Sequence, residues 1–259
     1  MSDPRITPDP SRVSGNTPAQ VMVTCTDLCR SADGPRDRQL LLGEQVTVLS
    51  SAQGWSYVQA NKDAYCGYVR TIALGAAQAP THRVSAAASH AYARADMKSP
   101  DRSALSFGSL LTALGEAKGF ADTAHGFVPL QHVTRIDDTG TDPADFALRM
   151  LHVPYLWGGN SHAGIDCSGL VQGAMLACGQ PCPGDSDLQQ AELGDVVPDG
   201  EAYQRNDLLF WRGHVALVVD EGTLVHANAG HMAVALEGIE AAITRIKSQG
   251  DGDVTAHKR

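Results

Sequence analysis

Long apolar runs are missing from this 259-residue chain. No stretch approaches the roughly 18 consecutive apolar residues of a membrane-spanning helix. The opening segment, "MSDPRITPDPSRVSGN", has no apolar core leading to a small-residue cleavage pattern. No secretory signal is therefore read there, and a cytoplasmic location is expected. Positive charge is also scarce: 20 Lys and Arg stand against 29 Asp and Glu, a formal net charge of -9. That balance argues against nucleic acid or an anionic membrane as the main partner. Six cysteines in a chain this long do not make a disulfide scaffold, and none form a C-x-x-C pair. Cys25/Cys29 and Cys178/Cys182 lack histidines at ligand spacing, so neither a structural metal nor a cofactor is expected. With 43% hydrophobic and 19% charged residues, the chain has the composition of a folded globular protein.

Helical periodicity is absent before about residue 140. Residues 1–18 hold four prolines among polar residues and read as a flexible leader. Short strand-like runs follow, among them "QVMVT", "EQVTVLS", "WSYVQA" and "YCGYVR". The stretch "LLLGEQVTVLSSAQGWSYV" (40–58) aligns with "LSFGSLLTALGEAKGFADT" (105–123), matching Gly43 to Gly108, Gly54 to Gly119 and Trp55 to Phe120. "GYV" (67–69) then matches "GFV" (126–128). Two five-strand units are expected, at 19–76 and 82–136, and their "G-W/F … G-Y/F-V" endings resemble bacterial SH3-type (SH3b) barrels. "IDDTGTDPAD" is a linker closing into a helix, with Asp142 at the N-cap and Pro143 at the first helical position. An α+β domain is expected over 142–245: helix, glycine loop, helix, then strands "DLLFW", "HVALVVD" and "TLVHAN". A loose polar tail, 246–259, closes the chain.

The chemistry concentrates around "YLWGGNSHAGIDCSGLVQGA" (155–174). Apolar residues recur at 170, 171, 174, 175 and 178, one helical face, and Asp166 is a good N-cap. Cys167 thus falls in the first helical turn, where unpaired N–H groups and the helix dipole favour an anion. A thiol in such a place can drop from about 8.5 toward roughly 4–7.5. By position alone Cys167 is equally a buried small side chain or a nucleophile. His214, 47 residues on and at the start of an apolar strand, and His226 in the next strand shift the balance. With a three-residue loop Asp220-Glu221-Gly222, Gly222 left-handed, residue 216 opposes 226. The two histidines are then diagonal neighbours on one face, roughly 7–8 Å apart at the backbone. A two-residue loop would put them on opposite faces. A thiol, a proton-exchanging imidazole and a third orienting group make a nucleophilic triad.

These stretches, with "GDSDLQ" (184–189), "NDLLFW" (206–211), "GHVALV" and "LVHA", resemble the NlpC/P60 cysteine peptidase family. The resemblance implies a papain-like core that cleaves bacterial cell-wall peptides, usually between γ-D-glutamate and a diamino acid. It implies Cys167 as nucleophile, His214 as general base, His226 as the orienting residue and Tyr155 beside the oxyanion. Two SH3b-like barrels ahead of this domain are similar to a subgroup of cytoplasmic γ-D-glutamyl-L-diamino acid endopeptidases (dipeptidyl-peptidase VI-like) that recycle murein peptides. Those act on L-Ala-γ-D-Glu-diamino acid peptides with an unblocked amine. By that likeness Asp166, Ser168 and Asp185 would hold the substrate amine, with Glu44 and Tyr65 from the first barrel. The segment here is Pro-Gly-Asp-Ser, lacking the subgroup's usual arginine, and the barrel ends in "GYV" rather than "GWV". The plainer readings are that Asp185 caps a loop, Glu44 is solvated, Tyr155 and Trp157 pack, and His162 lines a rim. Two alternative functions stand beside the endopeptidase: an amidase cutting the muramoyl–L-Ala bond, and a wall-binding protein whose catalytic core is spent.

Overall fold

Turn glycines and short alternating runs build the first half of the computed structural model from strands, with no α-helix before residue 143 among the described residues, 3–259. The chain divides into two units, one ending at Asp138 and the other beginning at Thr139. In the first unit, β1 (Thr17–Val21), β2 (Cys25–Cys29), β3 (Arg36–Leu41), β4 (Gln45–Ala52), β5 (Trp55–Ala60), β6 (Cys66–Arg70) and β7 (Leu74–Ala76) form one sheet in the order β3-β2-β6-β5-β4-β1-β7. Val21, Leu28, Val46, Val58 and Val69 are its core. Next come β8 (His82–Val84), β9 (Ala88–Tyr92), β10 (Asp101–Ser106), β11 (Leu110–Leu111), β12 (Ala113–Ala117), β13 (Phe120–Thr123), β14 (Gly126–Pro129) and β15 (Val133–Arg135). They make a five-stranded sheet, β10-β9-β14-β13-β12, and a three-stranded one, β11-β8-β15.

The sequence repeat has a structural counterpart. The β4–β5 and β12–β13 hairpins turn on Gln53-Gly54 and Lys118-Gly119, all four residues with positive φ. This is the two-residue turn whose twist suits adjoining strands. After β6 and after β14 the chain makes a 3-10 turn, Thr71–Ala73 and Leu130–His132, before a three-residue strand. The halves are nevertheless not separate bodies, as two independent barrels would be. Leu42 lies in the second core with Val84, Leu105, Leu111 and Val128, and its carbonyl accepts from Leu110 N–H at 2.8 Å. Gly43 makes this approach possible: its φ is +78°, and a Cβ there would stand 2.1 Å from the Leu110 carbonyl oxygen. Gly43→Ala is expected to cost at least about 2 kcal/mol, from left-handed strain plus the backbone clash. Gly54→Ala, at φ +81° with nothing within 4 Å, should cost only about 1 kcal/mol. Denaturant unfolding of the full chain measures the difference.

Residues 3–16 are not a loose leader. Ser14 and Gly15 N–H both donate to the Leu49 carbonyl at 2.9 Å, Asp9 N–H to the Tyr57 hydroxyl at 3.1 Å, and the Arg5 carbonyl accepts from Cys66 N–H at 2.6 Å. The exposed backbone of β4 and β6 supplies partners that composition does not reveal.

The second unit contains α1 (Pro143–Leu148), β16 (Asn160–Ser161), β17 (Gly164–Ile165), α2 (Cys167–Ala177), α3 (Ser186–Glu192), β18 (Leu208–Trp211), β19 (His214–Asp220), β20 (Thr223–Asn228), β21 (Ala233–Gly238), α4 (Ile239–Gln249) and β22 (Ala256–Lys258). Its antiparallel sheet runs β21-β20-β19-β18-β22. α1 and α2 pack on β19 and β20, while α4 covers Leu209, Ala216, Val218 and Leu224 through Ile239, Ala242 and Ile246. Pro143 opens α1 and Asp142 is its N-cap residue, as expected, but the Asp142 side chain makes no capping hydrogen bond. Asp142 binds Arg205 at 2.7 Å, and the Asn206 side chain accepts from Ala144 N–H at 2.9 Å instead. The expected polar tail is likewise built in. β22 pairs with β18, and the buried Asp207 carboxylate holds His257 Nε2 at 2.6 Å and Arg259 Nε at 2.7 Å. A short polar strand has no periodicity to announce it; a buried carboxylate fixes it.

Candidate active site

The glycine loop is pressed onto the start of α2 at backbone distance. A Cβ on Gly159 would lie 2.5 Å from the Gly164 oxygen, and one on Gly169 would lie 2.6 Å from the Gly159 oxygen. Asp166 ties the two together. Its Oδ1 accepts from Gly169 N–H at 2.7 Å and from the Ser168 hydroxyl at 3.1 Å, and its Oδ2 accepts from Gly158 N–H at 2.9 Å. It is thus both the α2 N-cap and the clamp on the loop. Cys167 is the first residue of α2 and is 6% exposed. The Val215 N–H at the start of β19, one residue past His214, is near enough to favour its thiolate. Burial pushes this thiol up to about 12, and the Asp166 charge adds to the rise, against the help of nearby N–H groups. The lowering expected from the helix start is therefore overridden, and the site holds a thiol rather than a thiolate.

Tyr155 is fixed by its backbone, donating to the Met232 carbonyl at 2.9 Å and bridging to Ile165. Burial raises its phenol, and the neighbouring Cys167 and Asp166 charges raise it further. A neutral hydroxyl near the sulfur can donate to a developing oxyanion. Trp157, 69% exposed, is not a packing residue.

The histidine hairpin has the register of the sequence reading by a different route. Leu217 pairs with Val225, so residue 216 stands opposite 226. The loop, however, is Glu221-Gly222, closed by Asp220 opposite Thr223, and Gly222 is not left-handed. The parity that a two-residue loop would have reversed is restored by a bulge at Val219 in β19. His214 Nε2 lies 2.9 Å from His226 Nδ1. His226, 1% exposed, places Nε2 3.0 Å from Glu237 Oε2. Glu237 is gripped by Arg245 from α4, Nη2 to Oε2 at 2.7 Å and Nε to Oε1 at 2.9 Å. Burial lowers both imidazoles, His214 to about 3 and His226 to about 4; Glu237 partly opposes this in each. Arg245 holds the Glu237 carboxyl below its ordinary range.

Glu237 and Arg245 were not expected from the sequence. The readable sign is an acidic residue in the otherwise apolar run "AVALEG", diagonal to His226 once β21 is paired with β20. Gln189, 0% exposed, was also missed. Its amide donates to the Ser168 carbonyl at 2.9 Å and the Pro183 carbonyl at 3.0 Å, drawing the Asp185 segment to the start of α2. Asp185 precedes α3, where its carbonyl accepts from Gln189 N–H and its side chain does not cap the helix. In the first unit, Glu44 is buried against Lys62 at 2.7 Å, with its other carboxylate oxygen unpartnered, so it is not a solvated side chain. Tyr65 is a core side chain, 3% exposed, with the Arg38 guanidinium over its ring. His226, His231 and Glu237 are the one group of His and acidic side chains close enough for a metal among the described residues, but Arg245 and His226 already occupy the Glu237 oxygens.

Against known families, residues 152–246 match NlpC/P60, and residues 28–74 match the bacterial dipeptidyl-peptidase Sh3 domain. Residues 152–246 are an NlpC/P60 domain. Dipeptidyl-peptidase 6 of Lysinibacillus sphaericus is 37% identical over 95 residues, 36% of this chain and 34% of that protein, so the match spans about a third of its length. The gamma-D-glutamyl-L-lysine dipeptidyl-peptidase of Bacillus subtilis (strain 168) is 29% identical over 216 residues, 73% of this chain and 71% of that protein. An NlpC/P60 family protein from Bacillus cereus ATCC 10987 superposes with a TM-score of 0.77 at 19% identity, covering 94% of this chain and 99% of that one. The likeness shows the NlpC/P60 fold behind an SH3-like, all-β N-terminal region.

Proposed function

We propose that the chain is a cysteine endopeptidase that hydrolyses the γ-D-Glu–L-diamino acid bond of cell-wall-derived peptides carrying a free N-terminal L-Ala. The observation that carries this is the hydrogen-bonded line His214–His226–Glu237, with the Val215 N–H, next after His214 along β19, acting on the helix-start Cys167 thiol. The Cys167 proton passes to His214 as the sulfur bonds to the γ-carbonyl carbon. The Tyr155 hydroxyl and the Cys167 N–H meet the developing oxyanion. The C–N bond breaks as His214 returns the proton to the leaving amine. Water, deprotonated by His214, then releases the dipeptide from the thioester. The named activities of the Lysinibacillus and Bacillus relatives favour this substrate class. We also read residues 82–136 as a second SH3-like fold, on the strength of the repeated turns and its own core.

The carboxylates of Asp166 and Asp185, with the Ser168 hydroxyl between them in the chain, suit a substrate ammonium. A capped amine would lose its charge and two of its N–H donors to these acceptors, which discriminates strongly. L-Ala-γ-D-Glu-meso-diaminopimelate should be cleaved to L-Ala-γ-D-Glu and diaminopimelate, and its N-acetylated form at least about a hundredfold more slowly. Mass spectrometry with a Cys167→Ala control reads both. Equal turnover of the two peptides would remove the amine site, and release of L-Ala-γ-D-Glu-diaminopimelate from muramoyl peptides would favour an amidase.

A further inference from the structure

The proton positions along the histidine line are dictated from its far end. Both Glu237 oxygens face the Arg245 guanidinium, which only donates, so the carboxylate is ionised and only accepts. His226 Nε2, 3.0 Å from Oε2, must therefore carry a hydrogen. A buried, neutral His226 then has a bare Nδ1, which accepts from whatever stands 2.9 Å away. That atom is His214 Nε2, which must donate. A neutral imidazole protonated at Nε2 has a bare Nδ1, the ring nitrogen left to take a proton.

We infer that Glu237, locked by Arg245, is a positioning residue that sets the tautomers of His226 and His214, so that His214 Nδ1 is the base for the Cys167 thiol. In the step it supports, the S–H bond of Cys167 breaks, an N–H bond forms at His214 Nδ1, and the Nε2 proton stays shared with His226 Nδ1. Burial, which disfavours the charged form of both imidazoles, keeps the line neutral and its direction unambiguous. The other titratable group beside it, exposed His231, turns its Nδ1 to Asn228 Oδ1 at 3.0 Å. The inference rests on the peptidase reading for the role of Cys167, but its test does not need a substrate.

The full chain labelled with ¹⁵N-histidine, its His214 signals assigned against His214→Gln, should show His214 protonated at Nε2. A bare Nε2 in the wild type overturns the inference with no further variant. In Glu237→Gln the amide oxygen is expected to face Arg245 and its NH₂ to face His226, which reverses every hydrogen bond in the line. His214 then becomes protonated at Nδ1. Alkylation of Cys167 by iodoacetamide, and kcat where a peptide is turned over, should fall by roughly 10²- to 10⁴-fold with KM little changed, the scale of a tautomer error in a catalytic triad. Glu237→Asp, still acceptor only, should keep the Nε2 proton and most of the alkylation rate. A folded Glu237→Gln that alkylates within twofold of wild type overturns the inference. If no peptide is cleaved, spectra and alkylation still decide it, so failure of the substrate reading stays distinct.

Discussion

Cys167→Ala is expected to remove peptide turnover altogether, and His214→Ala to lower kcat by on the order of 10⁴-fold or more, with thermal unfolding nearly unchanged in the first case. The residues of a nucleophilic line act as one unit, so the double variant should be no slower than the worse single one. The Cys167 thiol is held neutral by burial and by Asp166. On the proposed mechanism it reacts only through transfer of its proton to His214. Without His214 no acceptor stands at the start of β19, whereas loss of His226 leaves the base present but unoriented and should cost less. A peptide-cleavage assay with titrated protein concentration measures all four variants. A Cys167→Ala protein as active as wild type would overturn the cysteine-peptidase reading, and a wild type that cleaves no peptide would favour a spent, wall-binding module.

Asp207→Ala carries the largest expected loss of stability, about 3 kcal/mol, equivalent to roughly 10 °C in Tm. The Asp207 side chain is fully buried and receives His257, Arg259 and the Gln204 N–H. Burial raises its pKa, but those partners outweigh burial and the net shift is downward. A carboxyl lowered in the folded state stabilises above its unfolded pKa, and that contribution is lost as the pH falls through the folded value. The wild type should thus lose stability below the ordinary carboxylate range faster than Asp207→Ala, and the two melting curves should converge in acid. Calorimetry from neutral pH downward checks it. Parallel curves would mean that Asp207 only fills space.

What was legible in the sequence was local. Helical spacing from 170 to 175 and the cap at Asp166 placed Cys167 at a helix start; the common face of His214 and His226 was expected through a three-residue loop and is reached through a two-residue loop and the Val219 bulge. What was not legible depends on pairings across long stretches of chain. Glu237 acquires meaning only when β21 folds back on β20, and Arg245 only when α4 lies over that pair. Gln189 has no role until its hydrogen bonds to Ser168 and Pro183 are formed. The leader and the tail fail for one shared reason: their order comes from backbone groups and one buried carboxylate, not from apolar side chains that a pattern could reveal.

The Val219 bulge makes the distance between the two histidines a question of counting rather than chemistry. Side chains along a strand alternate, so any change of one residue between 214 and 226 exchanges inside for outside for everything beyond it. The hairpin could accept other residue types in its turn, yet a single insertion or deletion would turn one imidazole away from the other. For this hairpin, the spelling of the loop is negotiable and its length is not.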